Sequence, residues 1–144
     1  MDYQGKVAVV TGAANGFGME FARQAAQKGM KLSLADIDGV NLAKVEKELK
    51  AQGAEVITSV FDVRSLEDFQ AFAKKTIDHY GAVDLFFNNA GVAVVGTIWL
   101  MSDKDWKWGL EVNVLGIFHG IKAFVPFMIS QDKECRIINT ASIG

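Results

Sequence analysis

The chain has 144 residues, about the length of one domain, and half of them are hydrophobic. It carries 15 basic and 17 acidic residues, and no basic block indicates a nucleic-acid surface or a polybasic membrane patch. The single cysteine, Cys135, excludes an intramolecular disulfide and a cysteine-cluster metal site. We therefore expect one globular domain, residues 1–144, without a metal or a nucleic-acid partner.

Two further features of the sequence predict the cellular location of the chain. Residues 1–6 lack the basic-then-apolar layout of a signal peptide. The longest apolar region, 110–129, contains Glu111, His119 and Lys122, and we expect it to be too polar for a membrane span. Together these observations predict a soluble, cytoplasmic chain with no membrane partner.

Apolar runs alternate with amphipathic segments along the whole chain. Capping boxes at Ser65 and Ser102 mark two helix starts, and Gly29, Gly53 and Gly81 mark helix ends. The alternation predicts a doubly wound α/β fold with a parallel five-stranded sheet of order 3-2-1-4-5. The predicted strands cover 6–11, 32–35, 55–61, 83–87 and 136–139, and the helices cover 16–28, 40–52, 65–80 and 106–129.

A glycine-rich turn, Thr11-Gly12-Ala13-Ala14-Asn15-Gly16-Phe17-Gly18, separates the first strand from the first helix. Glycines permit a tight turn and the close approach of a pyrophosphate, while a helix N-terminus attracts phosphate charge. The order therefore predicts a dinucleotide-binding βα unit. The bare pattern also fits a strand–helix turn that needs positive φ, since its first gap is wider than in the Rossmann fingerprint.

Small or polar residues follow every predicted strand, and the carboxyl ends of parallel strands share one edge of the sheet. The second strand ends at Asp36, and the third ends at Asp62-Val63. The fourth ends in Asn88-Asn89-Ala90-Gly91, and the fifth ends in Thr140-Ala141-Ser142. We expect a ligand site at this edge, and the apolar loop 92–101 is interpreted as the wall of an apolar pocket.

With these motifs in this order, the whole chain resembles the short-chain dehydrogenase/reductase family. The resemblance implies a Rossmann fold, a nicotinamide cofactor, and hydride transfer between that cofactor and an alcohol or ketone. It implies catalytic roles for Ser142, which hydrogen-bonds the substrate oxygen, and for Asn113, which holds a water of the proton relay. It implies cofactor contacts at Gly12, Asn15, Gly16, Phe17, Gly18, Asp36, Ile37, Asp62, Val63, Asn89, Ala90 and Gly91.

Within this resemblance, Asp36 predicts NAD rather than NADP. A carboxylate about twenty residues after the glycine turn accepts the ribose hydroxyls and repels a 2′-phosphate. No Arg or Lys directly follows Asp36, and Asn15 is not basic. The alternative is an exposed turn aspartate.

The Tyr-x-x-x-Lys of the family lies beyond the serine, whereas this chain stops at Gly144. We therefore expect the C-terminal strands to be absent and these 144 residues alone to be inactive. A non-catalytic dinucleotide-binding or sensing protein remains the alternative, and a methyltransferase fits the glycine spacing less well. The apolar residues of the helix 106–129 exceed one stripe, and the full-length protein is expected to be a homodimer or homotetramer.

Overall fold

The computed structural model describes residues 2–142, so Met1 and Gly144, the ends of the expected domain, lie outside the described residues. This part of the chain forms a sheet of parallel strands in the order β3-β2-β1-β4-β5, which confirms the predicted topology. The order brings β1 to the centre, between β2 and β4, so the turn that follows β1 lies beside the ends of both neighbours. The strands are β1 (Val7–Thr11), β2 (Lys31–Asp36), β3 (Val56–Val60), β4 (Leu85–Asn88) and β5 (Arg136–Asn139).

Helices connect successive strands, as the alternating pattern predicts. The Ser65 hydroxyl accepts a hydrogen bond from the Asp68 N–H at 3.2 Å, and Gly81 ends the following helix with φ of +68°. The capping box and the glycine stop therefore function as expected. The helices are α1 (Gly16–Gln27), α2 (Gly39–Ala51), α3 (Leu66–Tyr80), α4 (Asp103–Leu110) and α5 (Gly116–Ser130).

The single long helix predicted over 106–129 is wrong in two respects. It begins at Asp103, directly after the Ser102 cap, and residues Glu111–Leu115 form a π-helical segment between α4 and α5. The Gly116 N–H donates to the carbonyl of Glu111, five residues back, which widens the helix by one residue. A short 3₁₀ turn, Ile98–Leu100, also interrupts the predicted loop 92–101. Apolar periodicity does not reveal either feature, since both depend on local hydrogen-bond choice.

Both faces of the sheet are buried by apolar side chains. Ala8, Val10 and Leu32 pack under α1 and α2, whereas Val9 and Phe86 face α3 and α5. The alternation of Ala8, Val9 and Val10 follows the two-residue period of a strand. Phenylalanines dominate the second face, and the fully buried rings there are those of Phe69, Phe72, Phe86 and Phe124.

Asp84 is a buried charge at the opposite edge of the sheet from the glycine turn. It precedes β4 and is 2% exposed, and its Oδ2 accepts the Val7 N–H at 2.8 Å. Its Oδ1 lies 2.8 Å from the ammonium of Lys133 and 3.8 Å from that of Lys6. The carboxylate thus joins the start of β1 to the segment before β5.

The continuous helical stretch Asp103–Ser130 is long and apolar enough to cross a membrane by length and composition, contrary to the expectation from its polar residues. One such stretch is weak support for a span, since core helices pass the same test. Here Phe124 and Met128 are buried against the sheet. Phe118 and Ile121 remain exposed, so only one side of the stretch is covered.

Candidate functional site

The glycine turn after β1 is shaped by positive φ and by close backbone contacts. Gly12 has φ of +68°, and a Cβ there would lie 3.0 Å from the Cα of Ala90. A Cβ on Gly18 would overlap the carbonyl of Gly12, so α1 packs directly on the turn. Gly16 has φ of +53° with open space where its Cβ would point. The backbone can therefore approach a ligand here without side-chain obstruction.

The N-terminus of α1 opens towards this turn. Asn15 is its N-cap residue in an extended conformation, and its side chain makes no capping hydrogen bond. Phe17, in the first turn, is 74% exposed. First-turn N–H groups without a side-chain cap suit an anionic group such as a pyrophosphate.

Asp36 connects the end of β2 to the glycine turn. Its Oδ2 accepts the Ala14 N–H at 2.9 Å, and its Oδ1 accepts the Asp38 N–H at 2.9 Å. Each carboxylate oxygen has a second lone pair, so both can still accept a ribose hydroxyl. The following residue, Ile37, is 66% exposed. Asp36 thus stabilises the turn. This structural role cannot be inferred from its position in the sequence.

Asp62 lies at the end of β3 and is engaged by Arg64. The Arg64 guanidinium donates from Nε at 2.9 Å and from Nη2 at 2.7 Å to Oδ2, while the Arg64 N–H donates to Oδ1 at 3.0 Å. Hydrogen bonds from this side chain hold the pKa of the Asp62 carboxyl below its usual value. Arg64 Nη1 also lies 3.4 Å from Oε2 of Glu111 at the start of the π-helical segment. Sequence reasoning missed Arg64, although its position two residues after Asp62 is typical of an Asx turn.

Val63 is joined to α5 by its backbone and its side chain. Its carbonyl lies 2.9 Å from Nδ1 of His119. A Cβ on Gly116 would lie 2.8 Å from Cγ2 of Val63, so only glycine permits this approach. His119 therefore fixes the loop after β3, and the contact spans 56 residues of sequence.

Asn89 bridges three strands at the carboxyl edge. Its Nδ2 donates to the Thr11 carbonyl at 3.2 Å, and its Oδ1 accepts the Thr140 hydroxyl at 2.9 Å. The Thr11 hydroxyl in turn accepts the N–H groups of Asn89 at 3.0 Å and Ala90 at 3.1 Å. This network ties the ends of β1, β4 and β5 together. Thr11, which we treated only as the start of a motif, is its centre.

Asn88 is buried, and its side chain has a structural role. It is 1% exposed, and its Nδ2 donates to the Ile117 carbonyl at 2.9 Å and to Oδ1 of Asn139 at 3.1 Å. A Cβ on Gly120 would lie 2.7 Å from Oδ1 of Asn88, so this glycine lets α5 approach the strand end. Asn88 thus positions α5 against the edge of the sheet.

Asn113 lies in the π-helical segment and is exposed at the carboxyl edge. Its Oδ1 accepts the Val92 N–H at 2.8 Å, and its Nδ2 donates to the Val92 carbonyl at 2.9 Å. A Cβ on Gly91 would lie 3.2 Å from the same Oδ1. The helical pattern placed Asn113 among apolar neighbours, but the widened backbone turns it towards the loop after β4.

Ser142 is exposed and follows β5 by three residues. The intervening Thr140 bonds to Asn89 through its side chain and to the Asn88 carbonyl through its N–H, at 3.2 Å. The structure therefore brings Thr140 beside the turn after β4. Asn113 reaches that same turn from the helical side.

Comparison with known proteins agrees with this arrangement. The family model described as short chain dehydrogenase matches residues 6–144. A "CLA biosynthesis dehydrogenase/reductase" of Lactiplantibacillus plantarum is 37% identical over 143 residues, which are 99% of this chain and 50% of the relative. This chain belongs to the short chain dehydrogenase family.

Solved structures of other short chain dehydrogenases share the fold. One from Burkholderia phymatum in complex with NAD has a TM-score of 0.97 and 46% identity, covering 99% of this chain and 51% of that one. Carveol dehydrogenase from Mycobacterium avium in complex with NAD has a TM-score of 0.92 and 28% identity, covering 99% and 56%. The chain therefore spans about half the length of the short chain dehydrogenases it matches.

Both tyrosines of the chain, Tyr3 and Tyr80, lie far from the carboxyl edge of the sheet. The Tyr80 hydroxyl, at the end of α3, donates to the Leu32 carbonyl near the start of β2 at 3.1 Å. Burial raises the pKa of Tyr80 to about 12. Tyr3 packs against the core below α1, with the Lys28 ammonium 5.4 Å from its ring centre. Neither hydroxyl is placed to exchange a proton with a substrate at the site.

Asn113 also lines a cleft of about 380 Å³ in this short chain dehydrogenase segment. The loop after β4 forms one wall, and α4 with the π-helical segment forms the other. This confirms the interpretation of the apolar loop 92–101 as a pocket wall. The lining residues are Val94, Gly96, Ile98, Met101, Trp106, Gly109, Leu110, Asn113 and Val114.

Proposed function

We propose that the protein containing this chain is an NAD-dependent oxidoreductase that interconverts an alcohol and a ketone. The observation that carries the choice of NAD is the Asp36 carboxylate, held against the glycine turn by Ala14 and Asp38. Its charge opposes a 2′-phosphate, and the neighbouring Asn15 and Ile37 offer no cation to offset it. The NAD complexes among the related structures support the same choice.

The open space beside Gly16 and the positive φ of Gly12 and Gly16 support a pyrophosphate at the glycine turn, because no side chain blocks its approach there. In this proposal the turn and the start of α1 hold the diphosphate, and Asp36 holds the adenosine ribose. Asp62 and Val63 border the adenine, and Ala90 and Gly91 border the nicotinamide ribose. Bound NAD supplies the hydride acceptor for alcohol oxidation, and NADH supplies the hydride donor for ketone reduction.

The substrate oxygen is assigned to Ser142 and the relay water to Asn113. Both hydrogen bonds between Asn113 and Val92 fix the orientation of the side-chain amide. Ser142 donates to the oxygen on which charge develops, an interaction that strengthens in the transition state.

The proposal is tested by titrating the full-length protein with NADH and with NADPH, and by assaying it with NAD and a panel of alcohols. We expect tighter binding of NADH and production of NADH from at least one secondary alcohol. Tighter binding of NADPH would overturn the choice of cofactor. NADH binding without turnover of any alcohol or ketone would favour the dinucleotide-sensing alternative.

A further expectation concerns the 144 residues by themselves. Hydride transfer to or from an alcohol needs an acid–base group at the substrate oxygen. The positions of Tyr3 and Tyr80 rule out both tyrosines for that role. We expect the isolated segment to show no sustained NADH production with NAD and alcohols. Turnover by a preparation free of longer species by mass spectrometry would contradict this assignment.

We also propose that the full-length protein is a homodimer or homotetramer in the cytoplasm. The exposed apolar side chains along α5, away from the cleft lining, include Phe118 at 52%, Ile121 at 36% and Ile129 at 74%. An apolar strip of this length is typical of a protein contact surface. Light scattering at micromolar concentration should give a multiple of the chain mass, and a monomeric mass would refute the proposal.

A further inference from the structure

The cleft between the loop after β4 and α4 shares a residue with the candidate catalytic set. Asn113 is on its wall, close to the Gly91-Val92 turn that Asn113 bonds. A molecule that enters the cleft is therefore beside the position assigned to the nicotinamide end of the cofactor. This location makes the cleft a candidate for the part of the substrate that does not react.

The side chains that line the cleft are mostly apolar and uncharged. None of the described residues that form the cleft carries a charge. Its polar side-chain groups are the Trp106 indole N–H and the Asn113 amide, and both ends of that amide already bond Val92. A charged or polyhydroxylated ligand would lose hydration here and could regain hydrogen bonds only from the Trp106 indole N–H and from the second N–H and second lone pair of the Asn113 amide. An apolar skeleton would instead gain from the burial of its surface.

The volume of the cleft limits the size of the ligand that it can hold. The volume of about 380 Å³ is at the lower end of small-molecule pockets, which span about 300–1,000 Å³. Gly109 sets one limit, because a Cβ there would lie 2.6 Å from Cγ2 of Val94 on the opposite wall. The two walls therefore approach closely at Gly109, and the space suits a single ring or a short branched chain.

We propose that this apolar cleft selects uncharged, apolar secondary alcohols and their ketones, whose carbon skeleton occupies it while the oxygen faces Ser142. The inference rests on the proposed function and specifies its substrate class. It excludes polyols and hydroxy acids as preferred substrates. Ile98, Trp106 and Leu110 are then specificity-determining residues.

The test compares kcat/KM of the full-length protein with NAD for cyclohexanol, for xylitol and for 3-hydroxybutyrate. We expect cyclohexanol to exceed both others by about 100-fold, since a site with few hydrogen-bond partners discriminates against polar groups. Ile98→Gln should lower kcat/KM for cyclohexanol at least about tenfold and leave the Kd of NADH unchanged. Leu100→Gln is the matched control, because Leu100 belongs to the same 3₁₀ turn and does not line the cleft.

Binding of cyclohexanone to the NADH complex, followed by tryptophan fluorescence, gives a readout that does not require turnover. Trp106→Phe should abolish the response, whereas Trp108→Phe should retain it, since of these two residues only Trp106 lines the cleft.

Equal or greater activity with xylitol or 3-hydroxybutyrate would overturn the substrate class and leave the NAD-dependent activity standing. Loss of oligomeric mass in Ile98→Gln with unchanged kcat/KM would also overturn it, because the cleft would then be a protein contact. Failure to bind NADH would instead refute the proposed function.

Discussion

Replacement of Asp36 by asparagine tests the cofactor assignment most directly. The change removes the charge and one of two acceptor oxygens, while the size of the side chain stays the same. Hydrogen bonds to a charged group contribute about 1.5–3 kcal/mol. Loss of one such bond to the ribose should therefore weaken NADH binding by about 10–150-fold. NADPH binding should fall less or improve, because the repulsion of its 2′-phosphate disappears.

The structure adds a second consequence, which the assay must separate from the first. Asp36 accepts the N–H groups of Ala14 and Asp38, and the asparagine can accept only one of them. Ala14 is 2% exposed, so an orphaned N–H there costs about 1–3 kcal/mol of unfolding free energy. We therefore expect a lower urea midpoint as well as weaker NADH binding. Calorimetric titrations with NADH and NADPH should be made well below the melting temperature.

Asp38→Asn is the matched control. It removes the same charge two residues away, and asparagine is as good an N-cap as the aspartate that accepts the Asn41 N–H at 3.0 Å. This variant should keep the NADH to NADPH affinity ratio of the unmutated protein. If both variants shift that ratio equally, net local charge rather than the Asp36 carboxylate discriminates between the cofactors, and the reasoning is refuted.

Three further predictions concern the glycine turn and the fold. Gly18→Ala should abolish NADH binding by calorimetry, because its Cβ overlaps backbone, and Gly16→Ala should weaken NADH binding, because its Cβ would enter the open space assigned to the diphosphate, and lower stability by about 1–2 kcal/mol through its positive φ. Asp84→Ala should lower the free energy of unfolding in urea by about 1–3 kcal/mol, because the Val7 N–H is orphaned, and an equal loss in Asp84→Asn, which keeps an acceptor, would contradict this cause. Tyr80 ionises near pH 10 when unfolded and near pH 12 when folded, so its contribution to stability should decline as the pH rises from 10 to 12. Urea unfolding at several pH values should show that Tyr80→Phe lacks this part of the decline, and parallel curves for the two proteins would refute it.

The fold could be predicted from the sequence, and so could the edge of the sheet that carries the candidate site residues. The burial of β1, β2 and β4 between two helix layers demands the continuous apolar runs that mark these strands. Parallel strands deliver their carboxyl ends to one edge, so the residues after each strand could be assigned to one site without coordinates. The positive φ of Gly12 is a local need and could be predicted from the turn, whereas its close contact with Ala90 appears only in the folded chain.

The tertiary structure alone decided which groups meet and which remain exposed. Arg64 reaches Glu111 across 47 residues, and no local pattern specifies that partner. Asn113 bonds Val92 from within a π-helical segment, a backbone choice that apolar periodicity does not record. The apolar cleft likewise requires the loop after β4 to fold back on α4, with Gly109 against Val94. Periodicity and strand ends are properties of neighbouring residues, whereas these contacts depend on how distant segments pack, and only the folded chain determines that.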